Sequence, residues 1–172
     1  MRVYAIDPGN IQSAMCIIDA TTLKPISAII AENESLRHHI IHDIRLEEGD
    51  EVAIEALQSY GNLIGKSVLD TAVWIGRFYE MFLRKYPVKG SSPTFVYRME
   101  EKMHICNDSK AGDPNIRRAL IDRFCTHDYR TGKGTAKKPD WFHGFSKDMW
   151  AAYAVGLTHI EKNMKERINN NE

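Results

Sequence analysis

Three acidic residues stand where carboxylates can be gathered to do chemistry. Asp7 ends the β-prone run Arg2-Val3-Tyr4-Ala5-Ile6, just before the turn formers Pro8-Gly9-Asn10. Glu55 follows Val52-Ala53-Ile54, a short apolar run flanked by charge, as expected of a buried central strand. Asp148 falls in the first turn of a helix predicted from about Ser146 to Arg167. If the strands ending in Asp7 and Glu55 lie side by side, both acids meet at one sheet edge, and a helix N-terminus packed there adds Asp148. Carboxylates so close cannot all stay ionised unless a cation joins them, and oxygen donors of this kind suit Mg²⁺ or Mn²⁺. Two such ions about 3.5–4 Å apart are suited to phosphodiester hydrolysis. Taken singly, each acid also has a plainer reading, as a turn residue, a solvated strand end or a charge at a helix dipole.

The elements that must position these residues can be traced along the chain. Apolar runs at 2–6, 14–18 and 26–31 are separated by gaps short enough for hairpins and predict three antiparallel strands. Ser35 can cap a helix from Leu36 to about Leu46, and Ser67 to Tyr86 carries one broad apolar face that includes Trp74, Phe78 and Phe82, as core or dimer interface. Thr94 to Tyr97 reads as a further buried strand, and Pro114 to Cys125 as a helix with Asp113-Pro114 as its start signal. Residues 130–146 hold three glycines and one proline without a period and read as a mobile basic loop. The last helix has an inner stripe of Trp150, Tyr153, Ala154, Leu157 and Ile160. The order β-β-β-α-β-α-β-α-α describes an α/β domain spanning 1–172, a mixed five-stranded sheet flanked by helices.

Composition narrows the class. The 172 residues suffice for one domain with a core of its own, and no apolar run approaches the length of a membrane span. No signal peptide is visible, so a cytoplasmic location is expected, in the host cell if the protein is viral. Cys16, Cys106 and Cys125 are odd in number and widely spaced, which reads as reduced, packed thiols. Lys plus Arg and Asp plus Glu both number 23, but the halves differ: residues 1–60 hold 4 basic and 10 acidic side chains, whereas 61–172 hold 19 and 13. A neutral total therefore conceals a basic C-terminal two-thirds suited to phosphate.

Val3-Tyr4-Ala5-Ile6-Asp7-Pro8-Gly9, Val52-Ala53-Ile54-Glu55 and the last helix through Thr158-His159 together resemble the RuvC-type Holliday-junction resolvases of the ribonuclease H-like superfamily. The order and spacing of elements match over nearly the whole chain, and Lys147-Asp148 with the divergent surface is closer to phage or viral members. The resemblance implies a ribonuclease H-like fold and a metal-dependent crossover junction endonuclease using Mg²⁺ or Mn²⁺, two per site, with no nucleotide cofactor. It makes Asp7 the carboxylate bridging both metals, with Glu55 and Asp148 as further ligands. One departure stands out: the family shows a second acid three positions after the first in that helix, and here that position is Ala151. More water on the metal, a substitute such as His143 or Asp140, or an inactivating substitution would each account for it.

Branched DNA as partner requires cations that reach phosphate. Arg130, Lys133, Lys137 and Lys138 lie in nine residues without an acid, Lys147 adjoins Asp148, and Lys110 with Arg117 and Arg118 forms a second patch. The segment from Gln58 to Lys66 corresponds to the one that meets the junction centre in the family, and Tyr60 is its available aromatic wedge. A two-fold junction needs two active sites, so a homodimer through the helix at 67–86 is expected. Two other readings stay open: a junction-binding protein with impaired catalysis, suggested by Ala151, and a nuclease acting on RNA–DNA hybrid.

Overall fold

The computed structural model describes residues 1–58, 65–86 and 91–169, with side chains described as far as Asn163. Its elements are β1 (Arg2–Asp7), β2 (Gln12–Asp19), β3 (Pro25–Glu32), α1 (Asn33–His42), β4 (Glu51–Ala56), α2 (Lys66–Leu83), β5 (Thr94–Tyr97), α3 (Arg98–Cys106), α4 (Asp113–Phe124) and α5 (Met149–Asn169). The first three strands form the expected antiparallel meander, and β1 then pairs in parallel with β4 and β4 with β5. The result is a mixed sheet in the order β3-β2-β1-β4-β5. Both acid-bearing strands thus run side by side in the same direction.

Side chains alternate across a strand, and that alternation divides the core. Tyr4, Ile6, Val52 and Ile54 pack beneath α1 and α2 with Leu36, Ile40, Phe78 and Phe82. Val3, Ala5 and Ala53 face the other way, onto α4 and α5 with Leu120, Tyr153 and Leu157. Phe78 and Phe82 are therefore core residues, and Trp74 packs against them partly buried. Helix α5 is buried on nearly every side from Ala152 to Ile160. It reaches the sheet closely because residue 156 is glycine: a Cβ there would stand 2.8 Å from the Cβ of Ala5 and 2.5 Å from Ile18.

Several elements differ from expectation for identifiable reasons. The α3 helix is absent from the sequence reading because its only fully buried side chain is a charged one, Glu101, so no apolar stripe marks it. The α1 helix starts at Asn33 rather than after Ser35. Asn33 is recruited by tertiary bonds: its Nδ2 donates to the Gly9 carbonyl at 2.9 Å, and its Oδ1 accepts from Ser13 Oγ at 2.6 Å. The β5 strand lies at the sheet edge and buries only Val96. The α5 helix begins at Met149, leaving Asp148 as the residue before it, with its carbonyl accepting from Ala152 N–H at 3.0 Å.

Residues 126–146, including the segment read as a mobile basic loop, contain no helix or regular strand but are densely hydrogen-bonded. The Asp140 carboxylate accepts backbone N–H groups of Thr126, His127, Asp128 and Trp141 at 2.6–3.0 Å. That of Asp128 accepts those of Arg130, Thr131, Lys133 and Gly134 at 2.9–3.2 Å. The Thr131 hydroxyl together with these backbone donors holds the Asp128 carboxyl far below the usual carboxylate range, and backbone donors outweigh desolvation to do the same for Asp140. Phe142 and Phe145, with Trp150 and Tyr153 of α5, pack as an aromatic cluster beneath the segment. The cysteines are free, Cys16 and Cys125 buried and Cys106 half-buried.

Candidate functional site

The β1–β4 register pairs Ile6 with Ile54, so Asp7 and Glu55 are the next residues along two parallel strands. By the same alternation both point to the α5 side of the sheet. The turn after Asp7 is tightly held. Gly9 N–H donates to Ser13 Oγ at 3.1 Å, Ser13 and the Gly9 carbonyl are both tied to Asn33, and a Cβ on Gly9 would stand 2.2 Å from the Gln12 carbonyl oxygen. That turn therefore requires glycine, and it sets where the strand stops and where Asp7 is presented.

Asp7 and Glu55 therefore stand side by side, close enough for the charge of Glu55 to act on Asp7. Burial pushes the Asp7 carboxyl well above the ordinary carboxylate range, and the close approach of Glu55 and the charges of Asp148 and Glu101 add to the effect. Glu101 is raised in the same way, first by burial and then by Glu55, with Arg98 opposing. Asp7 thus feels the charge of three other carboxylates, Glu101 among them, rather than the two expected. Glu101 comes from α3, which leaves β5 directly at Tyr97 beside the end of β4. A charged residue amid helix formers reads as a solvated helix face, and only its 0% exposure shows otherwise.

The donor chemistry suits a hard divalent cation: all four groups are carboxylates, two retain protons above their usual range, and one buried Glu101 oxygen has no hydrogen-bond partner. Among the described residues no three His, Cys, Asp or Glu side chains are already grouped closely enough to chelate an ion. Asp148 is exposed. His143 lies elsewhere, with Nδ1 3.0 Å from the Lys133 carbonyl oxygen, and Asp140 is occupied by backbone N–H groups.

Asp148 opens onto a cleft of about 420 Å³ lined also by Asp113, Arg117, Arg118, Arg130, Lys147 and Trp150. Cations that the sequence places in two patches thus line one surface beside an acid of the cluster. The Arg117 guanidinium lies 4.7 Å above the Trp150 ring, Arg118 pairs with Asp122 at 2.7 Å, and Lys147 takes a left-handed backbone (φ 40°). Lys110, Lys133, Lys137 and Lys138 are not among the residues that line it. Lys66, exposed at the start of α2, pairs with Asp70 at 2.6 Å. Tyr60 lies outside the described residues.

No family model and no curated protein matches the sequence. Solved structures do match the fold. RuvC of Thermus thermophilus in complex with a Holliday-junction substrate superposes with a TM-score of 0.61 at 16% identity, covering 96% of each chain. A second structure of Thermus thermophilus RuvC gives 0.57 at 14% identity, over 96% of this chain and 97% of that one. Both come from a bacterium and lend no support to a phage or viral source. The chain has a RuvC-like, ribonuclease H-like α/β fold, a mixed five-stranded sheet with helices on both faces.

Proposed function

We propose that the protein is a single-domain, metal-dependent, structure-selective DNA endonuclease that hydrolyses phosphodiester bonds in four-way junctions and related branched DNA. The observation that carries this is the register of parallel β1 and β4, which brings Asp7 and Glu55 side by side at one sheet edge, with Glu101 and Asp148 adding their charge. In this reading Asp7, Glu55 and Asp148 hold Mg²⁺ or Mn²⁺. When bound, the cations activate water and offset charge on the leaving oxygen. Arg117, Arg130 and Lys147 seat the neighbouring phosphates in the cleft beside Asp148. The likeness to a RuvC bound to a Holliday junction supports four-way DNA as the first substrate to try.

Symmetric cleavage of a two-fold junction needs two copies of this site, and the outer face of α2 suits a homodimer. Leu69 and Val73 there are 55% and 56% exposed, with Val68 and Leu83 also open to solvent. The test is incubation with synthetic four-way junctions in Mg²⁺ or Mn²⁺. Paired nicks that disappear on chelation and in Asp7→Asn are expected, and absence of any cleavage counts against the reading. Ala151, a methyl one turn beyond Asp148, favours a second reading, a junction-binding protein with impaired catalysis. That reading expects tight junction binding indifferent to chelator, no nicks, and activity gained by Ala151→Asp.

A further inference from the structure

Glu101 is an expensive residue to place where it is. Its side chain is fully buried, Oε2 pairs with Arg98 at 2.7 Å, and Oε1 is buried with no hydrogen-bond partner among the described residues. An unpartnered oxygen on a buried carboxylate costs at least about 1–3 kcal/mol, so a native fold retains one only for a reason. Anchoring Arg98 is not a sufficient reason, because Arg98 also bonds the Asp113 carboxylate. Position supplies a better one. Val96 of β5 is in register with Glu55 of β4, and α3 follows β5 without a linker, so its first turn starts at the sheet edge where Asp7 and Glu55 stand.

We propose that Glu101 is a further metal-binding carboxylate, whose unpartnered Oε1 joins Asp7 and Glu55 around a divalent cation while Arg98 holds the other oxygen in place. The proposal rests on the nuclease reading and identifies which residue of this chain supplies the acid that Ala151 does not. The mutual charge effects among Glu55, Asp7 and Glu101 agree with that grouping.

Titration of the purified protein with Mn²⁺ alone, followed by calorimetry and by loss of the free-ion spin-resonance signal, tests the idea without any DNA. Glu101→Gln, which keeps the shape and removes the charge, should weaken Mn²⁺ binding about tenfold or remove one equivalent. Its melting temperature in chelator should fall by no more than about 5 °C, because the amide keeps the shape and its oxygen can still accept from Arg98. Glu101→Asp, which keeps a carboxylate, should bind Mn²⁺ more tightly than Glu101→Gln. Wild-type affinity and stoichiometry in Glu101→Gln would overturn the proposal. So would a fall of more than about 5 °C in chelator, which would make Glu101 a structural partner of Arg98. A wild-type protein that takes up no Mn²⁺ removes the nuclease reading as well, whereas wild-type uptake with an unaffected Glu101→Gln removes this proposal alone.

Discussion

Asp7 carries a heavy electrostatic load, because burial and three neighbouring acids all oppose its ionisation. A residue held against its own charge in this way is one the metal-free fold would be more stable without. Asp7→Asn should therefore abolish junction cleavage, by about a thousandfold or more, and raise the melting temperature in chelator by about 2–5 °C. Thermal melts beside a nicking assay check both halves, and a variant that loses activity and stability together would contradict the account. At this scale Asp7, Glu55 and Asp148 were legible because each ends or precedes an element, where a charge has no packing role. Glu101 was not, since burial alone distinguishes it from a solvated helix charge.

At the scale of elements, the site depends on three connections: the Gly9 turn after β1, the direct passage from β5 into α3, and the segment leading into α5. The last is ordered by carboxylates rather than by periodic structure, with Asp140 accepting four backbone N–H groups. Asp140→Asn keeps the shape but loses the charge and can no longer accept from all of them. It should lower the melting temperature by about 5–10 °C and expose the amides of Thr126, His127 and Asp128 to hydrogen exchange. Unchanged exchange at those amides would show that the network does not hold the segment. The Thr158-His159 pair, part of the sequence resemblance, also proves to be an element-scale feature. His159 is buried and meets Glu51 at 2.7 Å, tying α5 to the start of β4, the opposite end from Glu55.

At the scale of the whole molecule, the neutral total charge resolves into a half-buried acidic edge and a cationic cleft beside it. Asp7 and Glu101 titrate well above their ordinary range in the folded protein and near 4 when unfolded. Above about pH 4 the native state therefore binds more protons than the unfolded chain, and stability falls as pH rises. Melting temperatures in chelator should decline between about pH 5 and 8, and saturating Mg²⁺ should flatten that slope by replacing the protons. A metal-free melting temperature that climbs over the same range would contradict the assignment. For assembly, Val73→Asp on the outer face of α2 should yield a monomer by sedimentation. It should convert paired cuts into single nicks without changing the fold measured by circular dichroism. A dimer that survives the substitution would place the interface elsewhere.

Local sequence determined the alternating core strands, the turn at Pro8-Gly9, the long buried helix α5 and the ends at which Asp7 and Glu55 are presented, because periodicity and turn chemistry act over a few residues. It did not determine α3, whose buried side is a charge, or the start of α1 at Asn33, which answers to Gly9 and Ser13, 24 and 20 positions earlier in the chain. Only the tertiary structure decided that Glu101 is buried where the charge of Glu55 reaches it, and that Arg117, Arg118, Arg130 and Lys147 line one cleft. Those groupings depend on strand order and helix packing, and residues distant along the chain leave no local trace of being neighbours.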